Sequence, residues 1–231
     1  MGVAVCSESE AYAGPDRHTR CLAQVCRTEH LLPAAHWQNC PVELTCLRRA
    51  TDIQHRNLER SLDLLRSSFT RDHYVAMLRR FYGFHHAWEP EVAARLDSEL
   101  PDFFAPRRKL CNLEADLRYL GSDIEDILRI PSCTTLPPLQ STGSVLGSLY
   151  VIEGSMLGGR ILTRHFGDHL GMLPDAGCTY FAGYGERTGQ MWSAFGELMT
   201  SRPHAENDDM LHAAVSTFER LGQWLDKDAH A

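Results

Sequence analysis

His55 and Glu59 stand four residues apart in the segment Arg48-Arg49-Ala50-Thr51-Asp52-Ile53-Gln54-His55-Arg56-Asn57-Leu58-Glu59. On a helix this spacing puts both side chains on one face. A carboxylate that accepts a hydrogen bond from one imidazole nitrogen fixes the tautomer and leaves the other lone pair for a metal. A single neutral imidazole of this kind is a common holder of heme iron. Arg48, two turns earlier on roughly the same face, offers a charge-assisted hydrogen bond to a heme propionate. The same i,i+4 pair also describes an ordinary exposed contact, so these residues alone leave both readings open.

The second group is Leu146-Gly147-Ser148-Leu149-Tyr150-Val151-Ile152-Glu153-Gly154-Ser155-Met156-Leu157-Gly158-Gly159-Arg160-Ile161-Leu162. A glycine inside a helix costs roughly 0.5–1 kcal/mol against alanine, and here Gly143 and Gly147, then Gly154 and Gly158, recur at helical spacing. A face without Cβ atoms lets a flat group approach the backbone, and lets the helix bend. Close packing of one helix on another is the other reading of such a stripe.

The elements that must carry these residues are helical. Leu44, Leu47, Ile53, Leu58, Leu62 and Leu65 form an amphipathic run to about residue 67, and Tyr74, Met77, Leu78, Phe81 and Phe84 mark a second over 71–87. Pro90 suits the first turn of a further helix that continues to Leu100, and 107–120 is another, stopped by Gly121. Residues 130–140 contain three prolines and read as a loop. Residues 141–170 read as one long helix, 171–186 as a connection, and 188–201 and 207–227 as the last two helices. No alternating pattern is long enough to build a sheet. The expected fold class is therefore all-α, a multi-helical bundle over residues 43–231. Residues 1–42, interrupted by Pro15, Pro33 and Pro41 and lacking any period, read as a flexible N-terminal extension.

Composition narrows the function classes. The 231 residues are 43% hydrophobic and carry a net charge of -7 with no Lys/Arg run, which argues against a nucleic-acid partner. No uninterrupted apolar stretch has the length of a membrane span, and residues 1–13 lack the order of a secretory signal, so a cytoplasmic location is expected. Five of the eight cysteines fall in the first 46 residues, near His30 and His36, but no C-x2-C pair occurs, so thiols are expected rather than a zinc site or disulfides. A di-metal carboxylate site would need a repeated E-x-x-H; Asp52-x-x-His55 is the nearest pattern. Cys111, Cys133 and Cys178 have no legible histidine partner for thiol catalysis, and the serine in Gly154-Ser155-Met156-Leu157-Gly158 is not in a G-x-S-x-G frame.

Taken together, the two groups resemble the biliverdin-forming heme oxygenases, above all the bacterial branch associated with phytochromes or iron acquisition. Ala50-Thr51 followed by His55 and Glu59 is similar to that family's opening A-T-x-x-x-H-x-x-x-E, and Leu149 to Gly159 to its distal segment L-Y-V-x-E-G-S-x-L-G-G. Weaker similarities lie at Phe81 to Glu91, at Leu113-Glu114-Ala115-Asp116-Leu117 and at Tyr180 to Gly185; the resemblance spans about residues 43–225. It implies His55 as the proximal heme ligand with Glu59 as its partner, and Arg48 as a propionate contact with Tyr150 and Arg187 as looser candidates. It implies Gly154, Ser155 and Gly158 at the distal, catalytic face, with Gly159 beside them. Ser155 stands where animal members carry an aspartate that organises water, so that water network is expected to rest on backbone and Ser155.

The resemblance further implies heme b as both cofactor and substrate, opened to biliverdin with release of CO and ferrous iron. O2 and electrons from a ferredoxin- or flavodoxin-type reductase would drive the reaction, and a bilin acceptor such as a phytochrome is a further implied partner. A heme carrier or sensor without catalysis is the alternative on the same scaffold.

Overall fold

A computed structural model of the chain describes residues 44–96 and 100–226. The extension expected over 1–42 lies outside the described residues. Among the described residues ten α-helices follow one another: α1 Leu44–Leu62, α2 Arg71–Arg95, α3 Pro101–Phe104, α4 Leu110–Tyr119, α5 Ile124–Leu128, α6 Thr142–Ser155, α7 Gly159–Leu170, α8 Thr179–Ala182, α9 Thr188–Ser201 and α10 Asn207–Asp226. Among the described residues there is no strand, only isolated bridges from Leu173 to Ala176 and Gly177. The chain is all-α, as expected.

Local chemistry starts the two central helices. Thr70 caps α2, accepting from the His73 backbone N–H at 3.2 Å while His73 Nδ1 accepts from the Thr70 N–H at 3.2 Å. Ser141 and Ser144 make the same reciprocal box at the start of α6, at 3.1 and 2.9 Å. Two expectations need correction. Pro90 lies inside α2, not at the start of a new helix. An interior proline costs about 3 kcal/mol, but Trp88 and Val92, both buried, anchor the helix on either side of it. The stretch 141–170 is two helices, because a 3-10 turn over Met156–Gly158 separates α6 from α7. By length and composition Thr142–Leu170 would suit a membrane span, but 61% of its apolar 18-residue window is buried inside the protein, as in a core helix.

α6 is apolar all round, and its small residues set its neighbours. A Cβ on Gly147 would overlap the Met210 carbonyl of α10, and one on Gly143 would come within 2.9 Å of Glu206 Cβ. Further along α10, Phe218 meets the His55 ring of α1 edge-on at 5.5 Å and Gly222 faces Leu58 Cδ1. Residue numbers rise together in both sets of contacts, so α1, α6 and α10 run in the same direction. Across the middle of the bundle, the Trp88 indole N–H donates to Ser148 Oγ at 2.9 Å, and the Ser148 and Thr217 hydroxyls lie 2.9 Å apart. Thr217 also reaches the Ala213 carbonyl at 2.6 Å. Three helices are thus tied through one buried serine.

The two halves of the glycine stripe differ in what surrounds them, since nothing lies within 4 Å of a Cβ built on Gly158. Gly147→Ala is expected to lower the free energy of unfolding by about 1–3 kcal/mol, the usual cost of overpacking, and Gly158→Ala to leave it within about 0.5 kcal/mol. Urea unfolding followed by circular dichroism distinguishes the two.

Candidate functional site

Helix α1 presents His55 and Glu59 on one face, as their spacing requires. The imidazole is half-exposed, and its Nε2 stands 3.7 Å from Glu59 Oε1. That is longer than a hydrogen bond, so the expected hydrogen-bonded His–Glu pair is not made in this geometry. Among the described residues His55 has the Phe218 ring contact and no hydrogen bond. Its nitrogen lone pair is therefore uncommitted.

One turn before His55, Thr51 is buried and its hydroxyl donates to the Leu47 carbonyl at 2.8 Å. It lies within hydrogen-bonding reach of Tyr150 on α6, which also feels the charge of Arg48. Burial raises the Tyr150 phenol above its ordinary range, with Thr51 and Arg48 acting against that rise. Arg48 and Thr51 of α1 thus lie by Tyr150 of α6, with His55 one turn after Thr51 on α1 and Gly154 one turn after Tyr150 on α6.

The remaining sequence candidates have distinct surroundings. A Cβ on Gly154 would meet the Trp192 indole of α9 at 3.7 Å, whereas Gly158 faces open space. Ser155 is exposed and donates its hydroxyl proton to the Ile152 carbonyl at 2.7 Å, which leaves its oxygen as an acceptor for water. Gly159 is buried, and a Cβ there would strike the Phe181 carbonyl. Backbone packing against α8 accounts for that glycine without a cofactor. Arg187, exposed, begins α9 and reaches Met191 Sδ at 3.6 Å.

Beneath this region lies a buried polar cluster that the spacing argument missed. Glu153, the residue before Gly154, accepts from the Tyr184 hydroxyl at 2.6 Å and has Arg107 Nε 3.8 Å from its second oxygen. Lys109 Nζ sits 3.5 Å from the centre of the Tyr184 ring, a cation–π contact. Gly183 and Gly185, both at positive φ, turn the chain sharply on either side of Tyr184. Glu89 Oε1 accepts the backbone N–H groups of Lys109 and Leu110 at 2.6 and 2.9 Å, so this buried carboxylate holds the positive end of α4. Burial pushes the Glu89 carboxyl up, and His85 with these two N–H donors outweighs it, leaving it below its ordinary value. His85, wholly buried, is held neutral by its burial.

Asp116 acts in the same way, accepting the N–H groups of Thr179 and Tyr180 at 2.8 Å each and so fixing α8. A lone carboxylate at Glu153 in an otherwise apolar run was the signal available in the sequence. Among the described residues no three His, Cys, Asp or Glu side chains cluster to hold a metal ion, and none of Cys46, Cys111, Cys133 and Cys178 is in a disulfide.

Fold and site together define an all-helical protein with a half-exposed histidine on one helix and a glycine-bearing break at the end of a second, core helix. Residues 44–227 match the family model described as heme oxygenase, and the chain belongs to the heme oxygenase family. A heme oxygenase of Xanthomonas campestris pv. campestris (strain 8004) is 34% identical over 93 residues, 40% of this chain and 52% of that relative, so the match spans about half the relative's length. Among solved structures, the NO- and CO-bound heme oxygenase of Neisseria meningitidis superposes with a TM-score of 0.66 at 20% identity, covering 82% of this chain and 96% of that one. Heme oxygenase-1 of Synechocystis sp. PCC6803, solved in complex with heme, gives 0.63 at 15% identity, covering 80% and 91%. At these identities the structural likeness speaks to the fold.

Lys109 provides a pH test of the buried cluster. Burial lowers it from 10.5 to about 8; Glu153 resists this, Arg107 adds to it and Glu89 resists it. Between those two values the unfolded chain holds a proton that the folded chain has released, so Lys109 makes stability rise with pH over that interval. Relative to Lys109→Met, the wild-type melting temperature is expected to climb from pH 8 to pH 10. A difference that shrinks over this range would mean the ammonium is stabilised by its surroundings rather than penalised.

Proposed function

We propose that this chain is a heme oxygenase that opens heme to biliverdin, CO and ferrous iron, with His55 as the proximal ligand. The observation that carries the reading is the half-exposed imidazole of His55, which makes no hydrogen bond, in a chain whose core helix ends on open backbone at Gly158. Bound heme would supply both the iron that activates O2 and the ring that is opened.

The protein's own contribution is placement. His55 offers a ring nitrogen from the half-exposed face of α1, with Phe218 restricting the ring's rotation. Glu59 is near enough to close a hydrogen bond to that ring after a small rotamer change, which would fix its tautomer. Arg48 offers a guanidinium near Tyr150 for a propionate; Arg187, at the start of α9, is a second. Gly154 and Gly158 remove side chains where a flat ring must approach. The Ser155 oxygen, already committed as a donor to Ile152, can accept from a water and so hold it at the turn. Electrons would come from a ferredoxin- or flavodoxin-type reductase, the bilin would pass to an acceptor such as a phytochrome, and the reaction would take place in the cytoplasm.

The test is to add hemin to the full chain and to His55→Ala, then a reductant under air. Wild type is expected to give an imidazole-ligated spectrum that decays into bilin absorbance, and His55→Ala to lose the imidazole signature. An identical spectrum in the variant would remove His55 as ligand. A stable Soret band in wild type under reductant would instead point to a heme carrier or sensor.

A further inference from the structure

Gly154 on α6 and Trp192 on α9 face each other, and one side chain holds the residue before each of them. Arg107 Nη2 donates to the Met191 carbonyl at 3.0 Å and Nη1 lies 3.7 Å from Met191 Sδ, while Nε stands 3.8 Å from Glu153 Oε2. The guanidinium is buried and lies over the Phe103 ring, 3.8 Å from its centre. Phe103 packs on Phe195, and Phe195 stacks on Trp192 with ring centres 5.8 Å apart. We infer that Arg107 is a positioning residue: through Glu153 and Met191 it holds the Gly154 turn of α6 against the Trp192 indole of α9, and so fixes where the end of α6 stands for a flat ligand held by His55. This inference rests on the heme-binding reading above.

Arginine is suited to the task because its planar fork addresses two helices at once, which the point charge of lysine does not. The 3-10 turn Ala105–Arg107, with Pro106 inside it, delivers the side chain between α6 and α9. The strut is slack on one side. Arg107 Nε and Glu153 Oε2 are both buried and both without a hydrogen-bond partner, and their separation exceeds a normal N–H···O bond by about 0.8 Å. Two buried groups left unpaired favour a movement that joins them, and α6 and α9 must move together for that to happen. Tyr184 holds the other oxygen of Glu153, and the charge of Lys109 also acts on it, so the movement is available to Arg107 and not to the carboxylate alone.

The test compares wild type with Glu153→Gln, which keeps the shape and the Tyr184 contact, and Arg107→Lys, which keeps the charge. In the heme-free full chain, Trp192 emission is obtained by subtracting the spectrum of Trp192→Phe in each background. Both variants are expected to shift it, and the double variant no further than either alone, because the two residues act through one strut. After hemin is added, both variants are expected to keep the His55-ligated spectrum but release heme roughly tenfold faster, the usual place for a change in a binding surface to appear. Arg107→Lys with wild-type emission and heme release would reduce the role to charge alone and overturn the proposal. Should Arg107→Lys fail to fold, Glu153→Gln decides by the same two readouts. If wild type takes up no heme, the functional reading falls, while Trp192 emission in the heme-free chain still decides the strut.

Discussion

The arrangement depends on one close approach, the backbone of α6 at Gly147 against the carbonyl of Met210 on α10. No side chain larger than hydrogen fits between them, so the two helices have one register and little freedom to slide. Helix α1 packs on the far half of the same α10, through His55 on Phe218 and Leu58 on Gly222. α10 therefore works as a common ruler. It fixes how far along its length each of the other two helices sits, with His55 at Phe218 and Ser148 beside Thr217.

The second constraint is electrostatic. Glu89, Arg107, Lys109 and Glu153 are all buried, two of each sign, beneath the turn that ends α6. Removing one member of such a group leaves a charge without compensation and typically costs about 3–5 kcal/mol, whereas the intact group adds little net stability. Its value lies in specificity of arrangement: the charges close only when α4, the end of α6 and the turn around Tyr184 are all in place. The apolar core around them tolerates small shifts that these groups do not.

Periodicity made the helical class readable, as well as the limits of the last two helices and the proline-rich loop over 130–140. It failed where tertiary contacts override a local rule. Pro90 reads as a helix start, but burial on both sides carries α2 through it. The break at Met156–Gly158 is hidden because the apolar pattern continues across it, and only Gly158 and Gly159 hint at a change. Of the site, His55 and the glycines were visible because their types are unusual for their positions, and spacing carried them. The glycine stripe was read as one feature and is two: Gly143, Gly147 and Gly159 serve packing, and Gly158 opens to space. The buried charges were invisible for a different reason. Arg107 and Lys109 come from a short turn that reads as the start of a polar helix, and their partner Glu153 is about 45 residues away in the chain, beyond any local pattern.

The serine at the centre of the bundle has a consequence for how this sequence can drift. Thr217 has a single proton, and the Ala213 carbonyl, which cannot donate, lies closest to it. The proton between Thr217 and Ser148 must therefore belong to Ser148, which in turn receives the Trp88 indole. Protons point one way along the whole chain, and the middle member has to both give and receive. Alanine would fit the space as well as serine, and a survey of homologous chains should still find a hydroxyl at this position wherever the tryptophan and threonine persist, and lose all three together where it does not.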